Sequence, residues 1–247
     1  MTQPDDNAAT VSPQRVLITG VTSGLGEQLA HDYLARHWHV SGIGRNPEKI
    51  AQLTAAGIEV FSGDLTDEQT YQQLPASQQW DMVILNAGTC EYIDDPLHFD
   101  AALFHRVIET NVQSLGYSLH YLLPHLAPRA KLVFISSSVT WLPLPRAEAY
   151  GASKAAVDYL AKSLRLDLRP HGIDVLLVKP GFIKTPLTDK NTFPMPGIIS
   201  VEAASARIIQ GIEKNRAVIS FPTLFILSLK LLQHLPERWL ARLLKRT

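Results

Sequence analysis

Three side chains past the middle of the chain have types and spacing suited to proton transfer: Ser137, Tyr150 and Lys154. Tyr150 and Lys154 stand four residues apart in YGASK. The segment Glu148–Leu168 carries a helical pattern, so both fall on one helix face. A phenol with a pKa near ~10 is a poor acid or base at neutral pH. A neighbouring ammonium favours the phenolate and moves the pKa toward the working range. Ser137 ends an apolar, strand-like run thirteen residues before Tyr150. From there its hydroxyl can hold a carbonyl oxygen while Tyr150 gives up a proton. A tyrosine and a lysine at this spacing often coincide by chance, and the serine-ended strand is what sets this pair apart.

Such a group needs a partner to act on, and the start of the chain offers a place to hold one. In Arg15–Gly26, RVLITGVTSGLG, a short apolar run ends in Thr19-Gly20, and Gly24 and Gly26 follow. Leu25, Leu29, Tyr33 and Leu34 then recur at helical intervals. Strand, glycine turn and helix in this order let backbone approach a pyrophosphate, and the helix N-terminus stabilises the anion. An ordinary tight turn uses the same residues, but its place in the first βα unit favours nucleotide binding.

The elements that must position these groups alternate in type. Strands are predicted at Val16–Thr19, Val40–Ile43, Glu59–Ser62, Met82–Asn86, Leu132–Ser136, Asp174–Lys179 and Val218–Phe221, with helical patterns between them. Alternation of this kind implies an α/β protein, a doubly wound parallel sheet of seven strands with helices on both faces. Its ligand crevice lies at the carboxyl ends of the strands, where every motif falls.

At 247 residues and 46% hydrophobic the chain suits one large domain, read as residues 14–221 with a helical extension over 222–247. A loose polar tail is expected over residues 1–13. Twenty-three basic and twenty-three acidic residues cancel, which argues against a nucleic-acid partner. The single cysteine, Cys90, excludes a disulfide framework and fits a reducing compartment. With no apolar signal core and no run of spanning length, a cytoplasmic location is expected. No His/Cys/Asp cluster has metal-binding spacing, so no metal is predicted.

After the second strand, Gly44-Arg45 stands where an NAD-selective fold places an acid, and no Asp or Glu occurs between Tyr33 and Pro47. Arg45 suits a phosphate, which predicts NADP(H) over NAD(H), the alternative being a solvated loop arginine. The third strand ends at Asp64-Leu65, read on spacing as a turn, with Thr66 and Gln69 as a capping box for the next helix. The fourth ends in Asn86-Ala87-Gly88, residues small enough for close approach. A helix is expected from about Asp100 to Leu123. Asn111 lies within it, either interrupting the helix or facing something polar. After the sixth strand, Pro180-Gly181 turns the chain and Thr185 can hydrogen-bond an amide. A Pro-rich loop over residues 186–200 suits a lid, with Leu187, Phe193, Met195 and Ile198 as apolar contacts.

Taken together, these motifs resemble the short-chain dehydrogenases/reductases, in the single-domain branch, over residues 15 to about 220. The resemblance implies a Rossmann sheet and hydride transfer between NADP(H) and a carbonyl or secondary alcohol. It implies that Tyr150 is the acid or base, with Lys154 lowering its pKa and binding the nicotinamide ribose. Ser137 would orient the carbonyl, and Asn111 would hold a relay water. Gly20, Thr22, Ser23, Gly24, Leu25 and Gly26 would cradle the pyrophosphate, and Asp64 and Leu65 would flank the adenine. Asn86, Ala87, Gly88, Pro180, Gly181, Ile183 and Thr185 would complete the cofactor site. A homodimer or tetramer is implied as well. The chain departs from the family in having Thr140-Trp141 where a glycine commonly follows the serine by three, and in its extended C-terminus.

That C-terminus, Phe221–Leu235 followed by Glu237–Arg246, reads as two amphipathic helices. Packing on the domain or on another subunit is the preferred reading. Peripheral membrane contact through Trp239, Arg238, Arg242, Lys245 and Arg246 is the alternative. Trp141, Leu142, Leu144, Phe193 and Met195 suggest an apolar or aromatic carbonyl substrate, the alternative being that they are packing residues. The rival function is a non-catalytic NADP(H) sensor or scaffold on the same fold. It predicts loss of Ser137, Tyr150 or Lys154, and all three are present.

Overall fold

The computed structural model describes residues 13–191 and 193–244. Of the expected N-terminal tail, residues 1–12 lie outside the described residues, as do Lys245 and Arg246 of the basic C-terminus. Seven parallel strands form one sheet: β1 (Arg15–Thr19), β2 (His39–Gly44), β3 (Glu59–Ser62), β4 (Trp80–Leu85), β5 (Leu126–Ile135), β6 (Asp174–Pro180) and β7 (Val218–Phe221). Their order, β3-β2-β1-β4-β5-β6-β7, reverses direction between β1 and β4. A crevice opens at such a reversal because the connections on either side leave over opposite faces.

Strand side chains alternate between two cores, as a period of two requires. Val16, Ile18, Met82, Ile84, Val133 and Leu176 face one layer. It is built from Leu29 and Tyr33 of α1 (Gly24–Leu34), Leu53 of α2 (Pro47–Ala55) and Ile208 and Ile212 of α6 (Val201–Glu213). Leu17, Val83, Leu132, Phe134 and Leu177 face the other, against Leu115 and Leu122 of α4 (Ser114–Leu122) and Val157 and Ala161 of α5 (Glu148–Leu168). Burial on both faces explains why these strands read as continuous apolar runs.

Two expectations need correction. The helix expected over Asp100–Leu123 is broken into α3 (Ala101–Ile108) and α4 by a wider, π-type turn at Glu109–Gln113. Thr66 and Gln69 do not form a capping box: Asp67 caps a short 3₁₀ turn, accepting from Gln69 N at 3.0 Å. Asp67 is the residue directly before that turn, so its carboxylate reaches the free amides first.

The C-terminal helices α7 (Thr223–Leu232) and α8 (Glu237–Leu244) divide the preferred reading. Ile226 and Leu229 of α7 are buried against the domain, whereas no residue of α8 is buried. Among the described residues no helix is long and apolar enough to cross a membrane.

Beneath β5 and β6 lies a buried ion pair. Lys179 Nζ donates to Asp158 Oδ2 at 2.8 Å with the side chains 3% and 8% exposed, and Ser136 Oγ donates to the other carboxylate oxygen. Removing one partner leaves a desolvated charge, which typically costs about 3–5 kcal/mol, whereas replacing both by apolar groups is often neutral. Asp158→Ala is therefore expected to lower stability by about that amount in urea unfolding. Asp158→Leu combined with Lys179→Met should recover most of the loss.

Candidate active site

The cleft at the carboxyl ends of the strands has a volume of about 730 Å³. Its floor is set by the fit between β1 and β4. Asn86 N and Ala87 N donate to Thr19 Oγ1 at 3.0 and 3.1 Å, and Asn86 Nδ2 donates to Thr19 O at 3.0 Å. These bonds hold the two chain ends apart at a fixed width, because the small residues that follow put no bulk between them.

At one end of the cleft, α1 begins without a side-chain cap. Ser23 is at the N-cap position, yet its hydroxyl accepts from no first-turn amide. Such amides are free for an external anion, and the helix dipole adds to the attraction. Two glycines make the approach possible. Gly24 has φ +54°, a conformation side chains rarely adopt, and a Cβ on Gly26 would sit 2.3 Å from Gly20 O. Residues and geometry therefore fit a dinucleotide pyrophosphate, on the evidence of an uncapped helix end against backbone with no room for side chains.

Gly20, Thr22, Ser23, Gly24, Leu25, Arg45, Asp64 and Leu65 all line this cleft, together with Asn86, Ala87 and Gly88. So do Ser137, Tyr150, Lys154, Pro180, Gly181, Ile183 and Thr185. Two expected residues stand outside its lining. Gly26 packs behind it, against Gly20 and Asn86. Asn111, 2% exposed, sits in the π-type turn. There its Oδ1 accepts from Thr89 N at 2.7 Å, and its Nδ2 donates to Thr89 O at 2.8 Å and Ser153 Oγ at 2.9 Å. The turn exists because this side chain is drawn inward, and both readings of a mid-helix asparagine hold at once.

Arg45 Nη1 donates to Asp64 Oδ2 at 2.7 Å across the end of the cleft away from Tyr150, with Arg45 exposed and Asp64 half-buried. Asp64 also accepts from Thr66 N at 3.0 Å and Thr66 Oγ1 at 2.8 Å, which confirms the turn read from its spacing. Partial burial works to raise its pKa, but the Thr66 bonds and the Arg45 guanidinium outweigh it and hold the carboxyl below the ordinary range.

At the opposite end, α5 brings Tyr150 and Lys154 to the same side, and Ser137 follows β5. Lys154 is buried; its Nζ donates to Ile135 O at 3.0 Å and lies 5.9 Å from the centre of the Tyr150 ring. Burial pushes its ammonium down to about 8, opposed by nearby Cys90 and Asp158. Burial works against the lowering of the Tyr150 pKa expected from Lys154. Burial drives the phenol above its ordinary range, Cys90 adds to the rise, and only the hydrogen bond with Ser137 opposes it. Desolvation is the largest influence on the phenol, and Lys154, its Nζ bonded to Ile135 O, is not among those that lower it. The Cys90 thiol is itself pushed up, first by burial, in agreement with its having no assigned chemistry.

The apolar residues expected at the substrate end are placed differently. Among the described residues lining the cleft only Leu187 comes from that set, whereas Phe193 packs edge-on to Tyr92 at 5.2 Å. Trp141 meets the C-terminal helix through Lys230 Nζ, 4.4 Å over its ring, and Lys179 Nζ also lies over that ring at 3.5 Å. Sequence reasoning missed Glu91, Arg106, Glu109 and Lys190 on the rim, where Arg106 Nη2 bonds Glu91 Oε2 at 2.9 Å. No local pattern joins that pair, since it forms only when α3 packs over the β4 loop.

Comparison with known proteins adds an independent line. The family model for short chain dehydrogenases matches residues 14–194. An uncharacterized oxidoreductase of Myxococcus xanthus is 32% identical over 245 residues, covering 93% of this chain and 95% of that one. The crystal structure of a short-chain dehydrogenase from Streptomyces avermitilis superposes with a TM-score of 0.77 at 25% identity, covering 89% of this chain and 91% of that chain. A short chain dehydrogenase from Burkholderia cenocepacia in complex with NADP shares the fold, with a TM-score of 0.82 at 19% identity and coverage of 94% and 97%. A family model over most of the length, a near full-length relative and the reversed parallel sheet agree, and the chain belongs to the short-chain dehydrogenase family of oxidoreductases.

Proposed function

We propose that this protein is an NADP(H)-dependent reductase of carbonyls, or dehydrogenase of the matching secondary alcohols. One observation carries the reading: the uncapped glycine cradle and the Ser137–Tyr150–Lys154 group line a single continuous cleft, one at each end. The cofactor, held by Gly20–Gly26 at its pyrophosphate and by Thr185 and Lys154 at its nicotinamide end, supplies the hydride. The chain supplies position and a proton. Ser137 holds the carbonyl oxygen, and Tyr150, whose raised pKa keeps it protonated at neutral pH, donates to that oxygen as it gains charge. Lys154 stabilises the phenolate that forms, so the ammonium matters more after proton transfer than before it. Asn111 acts by tying the Thr89 segment to α5, which keeps Gly88 close over Lys154.

The NADP(H) choice rests on Arg45 with no acid beside it on β2. Exchanging its Asp64 partner for a ribose phosphate keeps the guanidinium paired. The Burkholderia cenocepacia protein of this fold is complexed with NADP, in agreement with that reading. The substrate class read from the sequence is an apolar carbonyl or secondary alcohol, and association into dimers or tetramers is expected from the family.

Replacing Tyr150 with Phe is expected to lower kcat for carbonyl reduction about a hundred- to ten-thousandfold while NADPH binding, followed by its fluorescence, stays intact. A non-catalytic NADP(H) sensor would bind as well and turn over nothing in the parent protein. Arg45→Ala should reduce the ratio of kcat/KM for NADPH over NADH roughly ten- to a hundredfold, since one charged hydrogen bond is lost. An unchanged ratio removes the arginine from cofactor choice. Lys154 is cationic only below about 8, and Tyr150 stays protonated well above that. The value of kcat/KM for NADPH, a property of the free enzyme, should therefore fall as pH rises through about 8. A profile flat well beyond that point contradicts the role given to the ammonium.

A further inference from the structure

The C-terminal helices expose a continuous apolar ridge. On α7, Leu224 and Leu231 are 83% and 65% exposed, and Leu227 stands between them on the same face. Leu235 extends the line past the helix end, and on α8 Trp239, 56% exposed, and Leu243 continue it. The opposite face of α7 is spent on the domain: Ile226 and Leu229 are buried, Phe225 lies 5.7 Å from Phe182, and Lys230 is held over Trp141. The ridge is thus a fixed surface rather than a loose tail.

Charge decides what covers it. Besides Lys230, which is turned to the domain, residues 222–247 hold four basic residues against the single acid Glu237, in a chain that is neutral overall. Arg238 and Arg242 each directly precede or neighbour the exposed Trp239 and Leu243, one turn apart. Among the described residues neither arginine forms a salt bridge. A second copy meeting this face symmetrically would set arginine against arginine with one glutamate each to offset them. A surface of anionic headgroups over acyl chains satisfies both the leucines and the arginines, with the indole at the boundary between them. We infer that the ridge formed by α7 and α8 docks the protein on an anionic lipid surface. Because α7 starts at the carboxyl end of β7 and Phe225 packs against Gly181 and Gly197, docking brings the lid side of the cleft to the lipid.

Co-sedimentation of the full chain with phosphatidylcholine vesicles, with and without phosphatidylserine, tests this without reading activity, so it stands apart from the proposed reduction. The protein is expected to pellet with the phosphatidylserine vesicles and to be released by raised salt. The tryptophan emission should shift to the blue on binding, and a Trp239→Phe variant should lose that shift. Arg238→Ala with Arg242→Ala should weaken binding about thirtyfold. Leu224→Glu with Leu231→Glu, both at exposed positions, should weaken it at least about tenfold, with circular dichroism unchanged. Protein that stays in the supernatant overturns the inference, and so does equal binding to phosphatidylcholine alone. It is equally overturned if the glutamate pair converts an oligomer to a monomer while lipid binding is unaffected.

Discussion

The arrangement depends on keeping one ammonium inside the protein. Lys154 lies at the foot of the cleft, where water would otherwise solvate it, and burial alone would strip its proton. Two features oppose that loss: the Ile135 carbonyl at 3.0 Å and the Asp158 carboxylate one turn further along α5. Asp158 cannot serve Lys154 alone, because it is also the partner of Lys179 on β6. The buried pair and the lysine in the cleft are thus one electrostatic unit. It spans α5, β5 and β6, with Ser136 bonding Asp158 and also the Lys154 carbonyl at 3.4 Å. A sheet with its crevice at this edge is the frame that can hold three such groups without exposing them.

The same burial sets the direction in which the site is prepared. A phenol kept above its ordinary range is a reluctant acid, yet it is fully protonated, which is the form the proposed reduction requires of a donor. Preparing the acid by desolvation and the counter-charge by burial of an amine stores both on one helix, two faces of the same exclusion of water. Ser137 couples to this balance, since its hydroxyl bonds the phenol and is placed by the 3₁₀ turn that follows it.

What the sequence revealed follows from the range of the interactions involved. Strand positions, the glycine turn and α5 were readable because each depends on neighbours within a few residues: apolar period, φ freedom, helical spacing. Tyr150 and Lys154 share a face for the same reason. The π-type turn at Glu109–Gln113 was hidden because Asn111 makes it by reaching Thr89, twenty-two residues away. The Arg45–Asp64 pair and the Glu91–Arg106 pair exist only once separate βα units meet. Ammonium and phenol on one helix suggested a lowered tyrosine pKa. Burial, which works against that lowering, arises only once separate elements pack together.

Trp141 shows how a departure in sequence was misplaced and what it does instead. Its indole takes two cations over the ring, Lys179 Nζ at 3.5 Å and Lys230 Nζ at 4.4 Å from the centre. A cation over an indole is worth roughly 0.5–2 kcal/mol, more when water is excluded, and here one of the two cations is buried. Lys179 ties the ring to Asp158 and so to the lysine in the cleft; Lys230 ties it to α7. The extension beyond the last strand is therefore not an appendage to the catalytic domain. It is joined, through Lys230 over Trp141, to the 3₁₀ turn that follows Ser137.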